Sequence, residues 1–184
     1  MDYVVFVRPI TFDQADPRWA RNIYSNHNDR HQTMATSGSG PTIAADVVAT
    51  LKDDISVTPW TMAQLALEWK CRTYFSGTSH QFFGCIARFF NFSKYVKTRD
   101  FNKLIECLDA GGLVVVSMGP GYWWHGTTNY LLAWKYDEQS VHCVTATDAR
   151  ARKQDIDGFK RDARAYFCFY PDDNRYIKLN RSDE

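Results

Sequence analysis

Apolar positions change their period at Gly111-Gly112. Before that pair they recur at helical spacing. Ile43, Val47 and Leu51, with Ala44 and Val48 beside them, predict a helix over residues 41–52. Thr58-Pro59 starts another, with Thr58 as cap and Pro59 in the first turn, covering Met62, Leu65, Ala66 and Trp69. Ser79 caps a third through Phe82, Ile86 and Phe89-Phe90. Thr98 caps a fourth that carries Phe101, Leu104, Ile105 and Leu108 and ends at the glycine pair. After it, residues 113–118 form a continuous apolar run closed by Gly119-Pro120-Gly121, which reads as a buried strand. Residues 130–136, 141–147 and 165–170 predict three more, with a charged connection over 153–164 and a short strand over 176–179. A first strand is expected over residues 3–8, limited by Pro9, and a polar loop over 22–38. Helices followed by antiparallel strands predict an α+β fold with the helices on one side of the sheet.

The chain has 184 residues with no internal repeat or linker, so one domain over 1–184 is expected, with a polar tail over 171–184. Twelve Phe, ten Tyr and six Trp argue against disorder. A net charge of +1 gives no bulk electrostatic reason for a nucleic-acid or membrane partner. Five Cys without paired spacing, set in apolar segments, suggest reduced thiols and a cytoplasmic location. No signal peptide is visible, and no stretch is long enough to span a bilayer.

Candidate chemistry centres on residues 36–42. A small Gly-rich turn delivers Ser39 to the start of the first helix, where free N–H groups and the helix dipole favour negative charge. Such a place lowers a thiol's pKa and stabilises an oxyanion; it is also where an ordinary Ser cap stands. His27 and His31 have helical ligand spacing but lack a partner that would complete a metal site. No metal and no cofactor are expected.

Several motifs together resemble the papain-like cysteine peptidases of the bacteriocin-processing, double-glycine leader peptidase type, and in particular their stand-alone bacterial relatives. The residues are Gln14-x-Asp16-Pro17-x-Trp19, then Ser37-Gly38-Ser39-Gly40-Pro41-Thr42, Val57-Thr58-Pro59, Gly77-Thr78-Ser79 and Ser117-Met118-Gly119-Pro120-Gly121. With the strand from Thr128 and Asp148 the resemblance covers about residues 14–150. It implies a papain-like fold, N-terminal helices packed against a C-terminal antiparallel sheet.

The resemblance also implies roles. Ser39 stands at the position of the nucleophilic Cys, and Asn129 at that of the general base His. Asp148 corresponds to the orienting carboxylate and Gln14 to the oxyanion donor. Ser keeps the shape but loses the thiolate, and a Ser hydroxyl is a poor nucleophile without a base. Asn hydrogen-bonds but exchanges no proton near neutral pH. Of the other imidazoles, His125 lies four residues before Asn129, and an extended chain would displace it by up to ~13 Å. The expectation is therefore a degenerate peptidase whose cleft binds a peptide or protein partner, with Tyr122, Trp123, Trp124 and His125 at its rim. The alternatives are an active cysteine peptidase or acyl transferase in an inactivated Ser form, and a purely structural domain.

Overall fold

The computed structural model of the chain describes residues 4–123 and 129–172. The described residues hold six helices and six strands, in chain order α1 (Met34–Ser37), α2 (Ser39–Leu51), α3 (Pro59–Glu68), α4 (Gln81–Phe89), β1 (Tyr95–Thr98), α5 (Phe101–Asp109), β2 (Leu113–Met118), β3 (Asn129–Tyr136), β4 (Ser140–Thr145), β5 (Arg152–Asp155), α6 (Ile156–Asp162) and β6 (Ala163–Phe169). The strands form one antiparallel sheet in the order β1-β6-β2-β3-β4-β5. This is an α+β architecture.

Strand parity divides the core. Leu113 and Val115 of β2, Leu132 of β3 and Phe167 of β6 face α2, α3 and α4, where Ile43, Val47, Met62 and Phe83 are buried against them. Val114 and Val116, one residue out of phase, face the opposite way and meet Leu104 and Leu108 of α5 and Phe159 of α6. The helices thus cover both faces of the sheet rather than the one side expected. The cause is α5: its apolar positions repeat at helical spacing, but the chain enters it from β1 at the sheet's edge and crosses to the far face.

α2 is the buried axis of the molecule. Every residue from Gly40 to Leu51 is buried, including Thr42, Asp46 and Thr50, so no solvent stripe interrupts it. It starts at Ser39, two residues earlier than Pro41 alone suggests, because Gly38 caps both α1 and α2: its N–H donates to the Met34 carbonyl at 2.8 Å and its carbonyl accepts from Thr42 N–H at 3.0 Å.

Three other expectations are corrected. Residues 4–8, expected as strand, carry no regular structure. Instead the chain that follows is laced to side chains of α2, with Ile10 N–H donating to Thr50 Oγ1 at 2.9 Å and Phe12 N–H to Asp46 Oδ1 at 2.7 Å, so no sheet ladder is needed. The charged connection over 153–164 folds as β5 and α6, started by Asp155, whose carboxylate accepts from Gly158 N–H. The fourth helix is capped by Asp100, not Thr98, which closes the unanticipated strand β1. The strand expected over 176–179 lies outside the described residues. All five cysteines are free; Cys71, Cys107, Cys143 and Cys168 are buried, while Cys85 is half-buried. Among the described residues no helix is long and apolar enough to cross a membrane.

Candidate functional site

The first residue of α2 is held in place by its neighbours. A Cβ on Gly40 would stand 2.6 Å from Thr78 Oγ1, so only glycine lets the helix start approach Thr78 this closely. Thr78 is itself pinned: its hydroxyl bonds the Tyr24 hydroxyl, and its carbonyl accepts from the Tyr130 hydroxyl of β3. The Gly-Ser turn and the start of β3 are therefore fixed to one another through a buried Thr. This explains why Gly77-Thr78-Ser79, a short polar stretch with no chemistry of its own, belongs with the site.

Ser39, Gln14 and Asp148 line one pocket of about 300 Å³, together with Trp123, Tyr130 and Arg152. Gln14 is buried at 8% exposure. Its backbone N–H donates to the Ala146 carbonyl at 2.8 Å, and its side-chain Nε2 donates to the Ala35 carbonyl at 2.7 Å. An amide nitrogen carries two hydrogens, so one remains for a ligand in the pocket. Ser39 is half-buried at the helix terminus.

Asp148 stands in the loop after β4, which ends at Thr145, two residues short of the strand expected over 141–147. The ladder explains the place. Leu131 pairs with Thr145, so β3 going backward to Asn129 and the chain going forward to Asp148 leave the sheet at the same end. Thr145 Oγ1 accepts from Asp148 N–H at 3.0 Å and fixes the turn. The carboxylate is gripped by Arg150, whose Nε lies 3.0 Å from Oδ1 and whose terminal nitrogen lies 3.0 Å from Oδ2. Those bonds, with the Arg150 backbone N–H and the charge of Arg152, hold the Asp148 pKa down at about 2. Arg150 and Arg152 were not foreseen. The signal available was their spacing, two and four residues after Asp148, since an Asp readily accepts from the N–H two residues on.

Asn129 opens β3 and pairs with Met118 of β2, next to Tyr130 on the pocket wall. Its side chain, like Trp124 and His125, lies outside what the structure describes. Trp123 and Tyr122 part company. Trp123 is buried, lines the pocket, donates from Nε1 to Gln154 Oε1 at 2.7 Å and lies under the Arg152 guanidinium at 5.1 Å. Tyr122 is exposed, meets Trp123 edge-on at 5.0 Å and does not line the pocket. Of the remaining imidazoles, His80 bonds Ser117 and His142 bonds Asp137, and neither lines this pocket.

No protein-family model matches the chain, and no curated protein matches it. Among solved structures it matches the peptidase domain of Streptococcus ComA, a bifunctional ABC transporter involved in a quorum-sensing pathway. The TM-score is 0.57 at 14% identity, over 74% of this chain and 93% of that one. At that identity the likeness shows the fold: this chain has the papain-like α+β architecture of that peptidase domain.

Proposed function

We propose that the pocket at the start of α2 is a peptidase-type cleft that has lost its proton chemistry and binds a peptide or protein partner without cleaving it. The observation that carries this reading is the set of groups around Ser39. Among the described residues no imidazole and no thiol lines the pocket, and its one carboxylate is paired with Arg150 at a pKa of about 2. A carboxylate that acidic is a feeble acceptor for a hydroxyl proton, and amides accept none. Asn129, at the expected position of the base, is a residue type that cannot titrate near neutral pH.

What remains suits recognition. Helix-terminal N–H groups and the free hydrogen of the Gln14 amide offer donors to a peptide carbonyl or carboxylate. Trp123 and Tyr130 give the pocket apolar walls. In this reading the Gln14 and Asp148 contacts persist because each satisfies groups of the fold itself, the Ala35 carbonyl and the Arg150 guanidinium.

A displayed peptide library panned on the chain tests it. The expected result is a set of peptides that bind and are recovered intact, and whose binding is lost in Ser39→Trp, which fills the pocket from a half-buried position. Recovery of cleaved peptides, or binding indifferent to Ser39→Trp, would contradict it.

A further inference from the structure

A second and larger cavity, of about 740 Å³, opens where β1 ends and β6 begins. Its chemistry differs from that of the Ser39 pocket. Lys97 and Arg99 from the β1 end, Lys160 from α6 and Arg164 from β6 all line it, and among the described residues no carboxylate does. None of the four makes an ion pair among the described residues, whereas Arg18, Lys52, Lys103, Arg150 and Arg161 each do. Two acids lie close in sequence and neither lines the cavity: Asp100, next to Arg99, caps α5 by accepting from Asn102 N–H, and Asp162 accepts from Gln154 Nε2, Tyr122 N–H and Arg161 Nε. In a chain of net charge +1, four cations without an ion pair among the described residues converge on one cavity from three parts of the fold.

The floor is built rather than incidental. His80, at the start of α4, reaches the cavity with Nε2 3.0 Å from Ser117 Oγ of β2 and its ring edge-on to Phe167 at 5.2 Å. Register places Ser117 opposite Ala165 and Lys97 opposite Phe167, so the cationic and polar groups lie on adjoining strands of one sheet end. The His80 imidazole registers the charge around it: burial first, then Lys97, Arg164 and Arg99, push its pKa below the ordinary value.

We propose that this cavity binds a compact polyanion carrying contiguous phosphate groups, either a bare polyphosphate or the phosphate chain of a nucleotide. Guanidinium forks match phosphate oxygens in geometry, and charge-assisted bonds of this type are the strong ones. Density of charge separates phosphate from an acidic peptide. Neighbouring side chains of an extended peptide point to opposite faces, so four successive acids turn only about two toward the cavity. A triphosphate brings all its charge to the same side.

Calorimetric titration of the full chain at about 0.15 M salt, where the Debye length is about 8 Å, with sodium tripolyphosphate, ATP without magnesium, and hexaglutamate tests the proposal. Tripolyphosphate is expected to bind one per chain, and Arg99→Glu with Arg164→Glu to weaken it about tenfold or more. Reversal of two distant cations, Arg18→Glu with Arg21→Glu, is expected to leave binding within about twofold, since charges beyond a Debye length are screened. Equal binding of ATP and tripolyphosphate assigns the site to the phosphate chain; tighter binding of ATP assigns it to a nucleotide. In parallel the His80 resonances are followed through a pH titration. Neutralising Lys97, Arg99 and Arg164 with a bound anion raises the imidazole pKa, a response that binding elsewhere would not produce. No binding of either phosphate compound, equal weakening by the distant reversals, an unmoved His80 titration, or tighter binding of hexaglutamate would each overturn the proposal.

Discussion

Asp46 offers the sharpest energetic test of how α2 is held. Its side chain is fully buried in the middle of the helix, with Oδ1 accepting from Phe12 N–H at 2.7 Å and Oδ2 without a hydrogen-bond partner. Burial pushes its pKa well above the usual carboxylate range, against the smaller opposing effect of the Phe12 bond. The folded protein therefore keeps a proton that the unfolded chain releases near pH ~4. A raised folded pKa gives stability that is full below the unfolded value and lost as pH climbs toward the folded one. The slope is about 1.4 kcal/mol for each pH unit between the two. Asp46→Asn keeps the acceptor oxygen and nearly the same shape but cannot titrate. Its stability relative to the parent is therefore expected to rise by about 1.4 kcal/mol per unit from pH ~4 upward, until the folded pKa is passed. Asp46→Ala leaves the Phe12 N–H without its acceptor and is expected to cost about 1–3 kcal/mol relative to Asp46→Asn. Urea unfolding of the three proteins at four pH values between about 4 and 7 gives these differences directly. A parent and Asn variant that differ by a constant amount across that range would refute the reasoning, because the carboxyl would then titrate alike in both states.

Two further outcomes follow from the site. Gly40→Val places a branched side chain against Thr78, which is pinned on both sides, and is expected to cost about 1–3 kcal/mol in urea unfolding; an unchanged midpoint would mean that the helix start is free to move. Arg150→Ala removes the largest cause of the depressed Asp148 pKa, so an NMR titration of that carboxyl should move up from about 2 toward the ordinary range, and a titration that stays put would assign the depression to Arg152 and the backbone.

Much of this was legible in the residues, and the failures have physical causes. Thr58-Pro59 and the apolar run 113–118 each fixed an element, because a cap and a breaker bounded a clear period. Residues 153–164 read as connection because β5 is four residues long with only Gln154 buried, and α6 is a short helix held by the Asp155 cap; neither is long enough to show a period. The strand expected over 3–8 had the right composition but lacked a ladder, since its continuation bonds to Asp46 and Thr50, polar residues hidden inside a helix that looked purely apolar. Gln14, Ser39 and Asp148 were each named from the sequence, and the fold brings all three to one pocket. The grip of Arg150 on Asp148 was not, because an exposed arginine two residues from an acid carries no hydrophobic signature. The basic cavity was invisible for another reason: its cations are scattered over almost seventy positions and meet only through the β1–β6 pairing.

The central claim, that Ser39 has no base, is tested most directly by comparing turnover of a peptide library and an activated ester by the chain as it stands, by Ser39→Cys, by Asn129→His and by the double variant. The chain itself is expected at background. Ser39→Cys alone supplies a nucleophile at a helix terminus, open to alkylation, but still lacks a general acid for the leaving amine. General acid–base catalysis is typically worth about two to four orders of magnitude, so only the double variant is expected to show clear hydrolysis. Hydrolysis by the unaltered chain that Ser39→Ala abolishes would contradict the account, and so would robust turnover by Ser39→Cys alone, which would make the protein an active peptidase scaffold lacking nothing but its thiol.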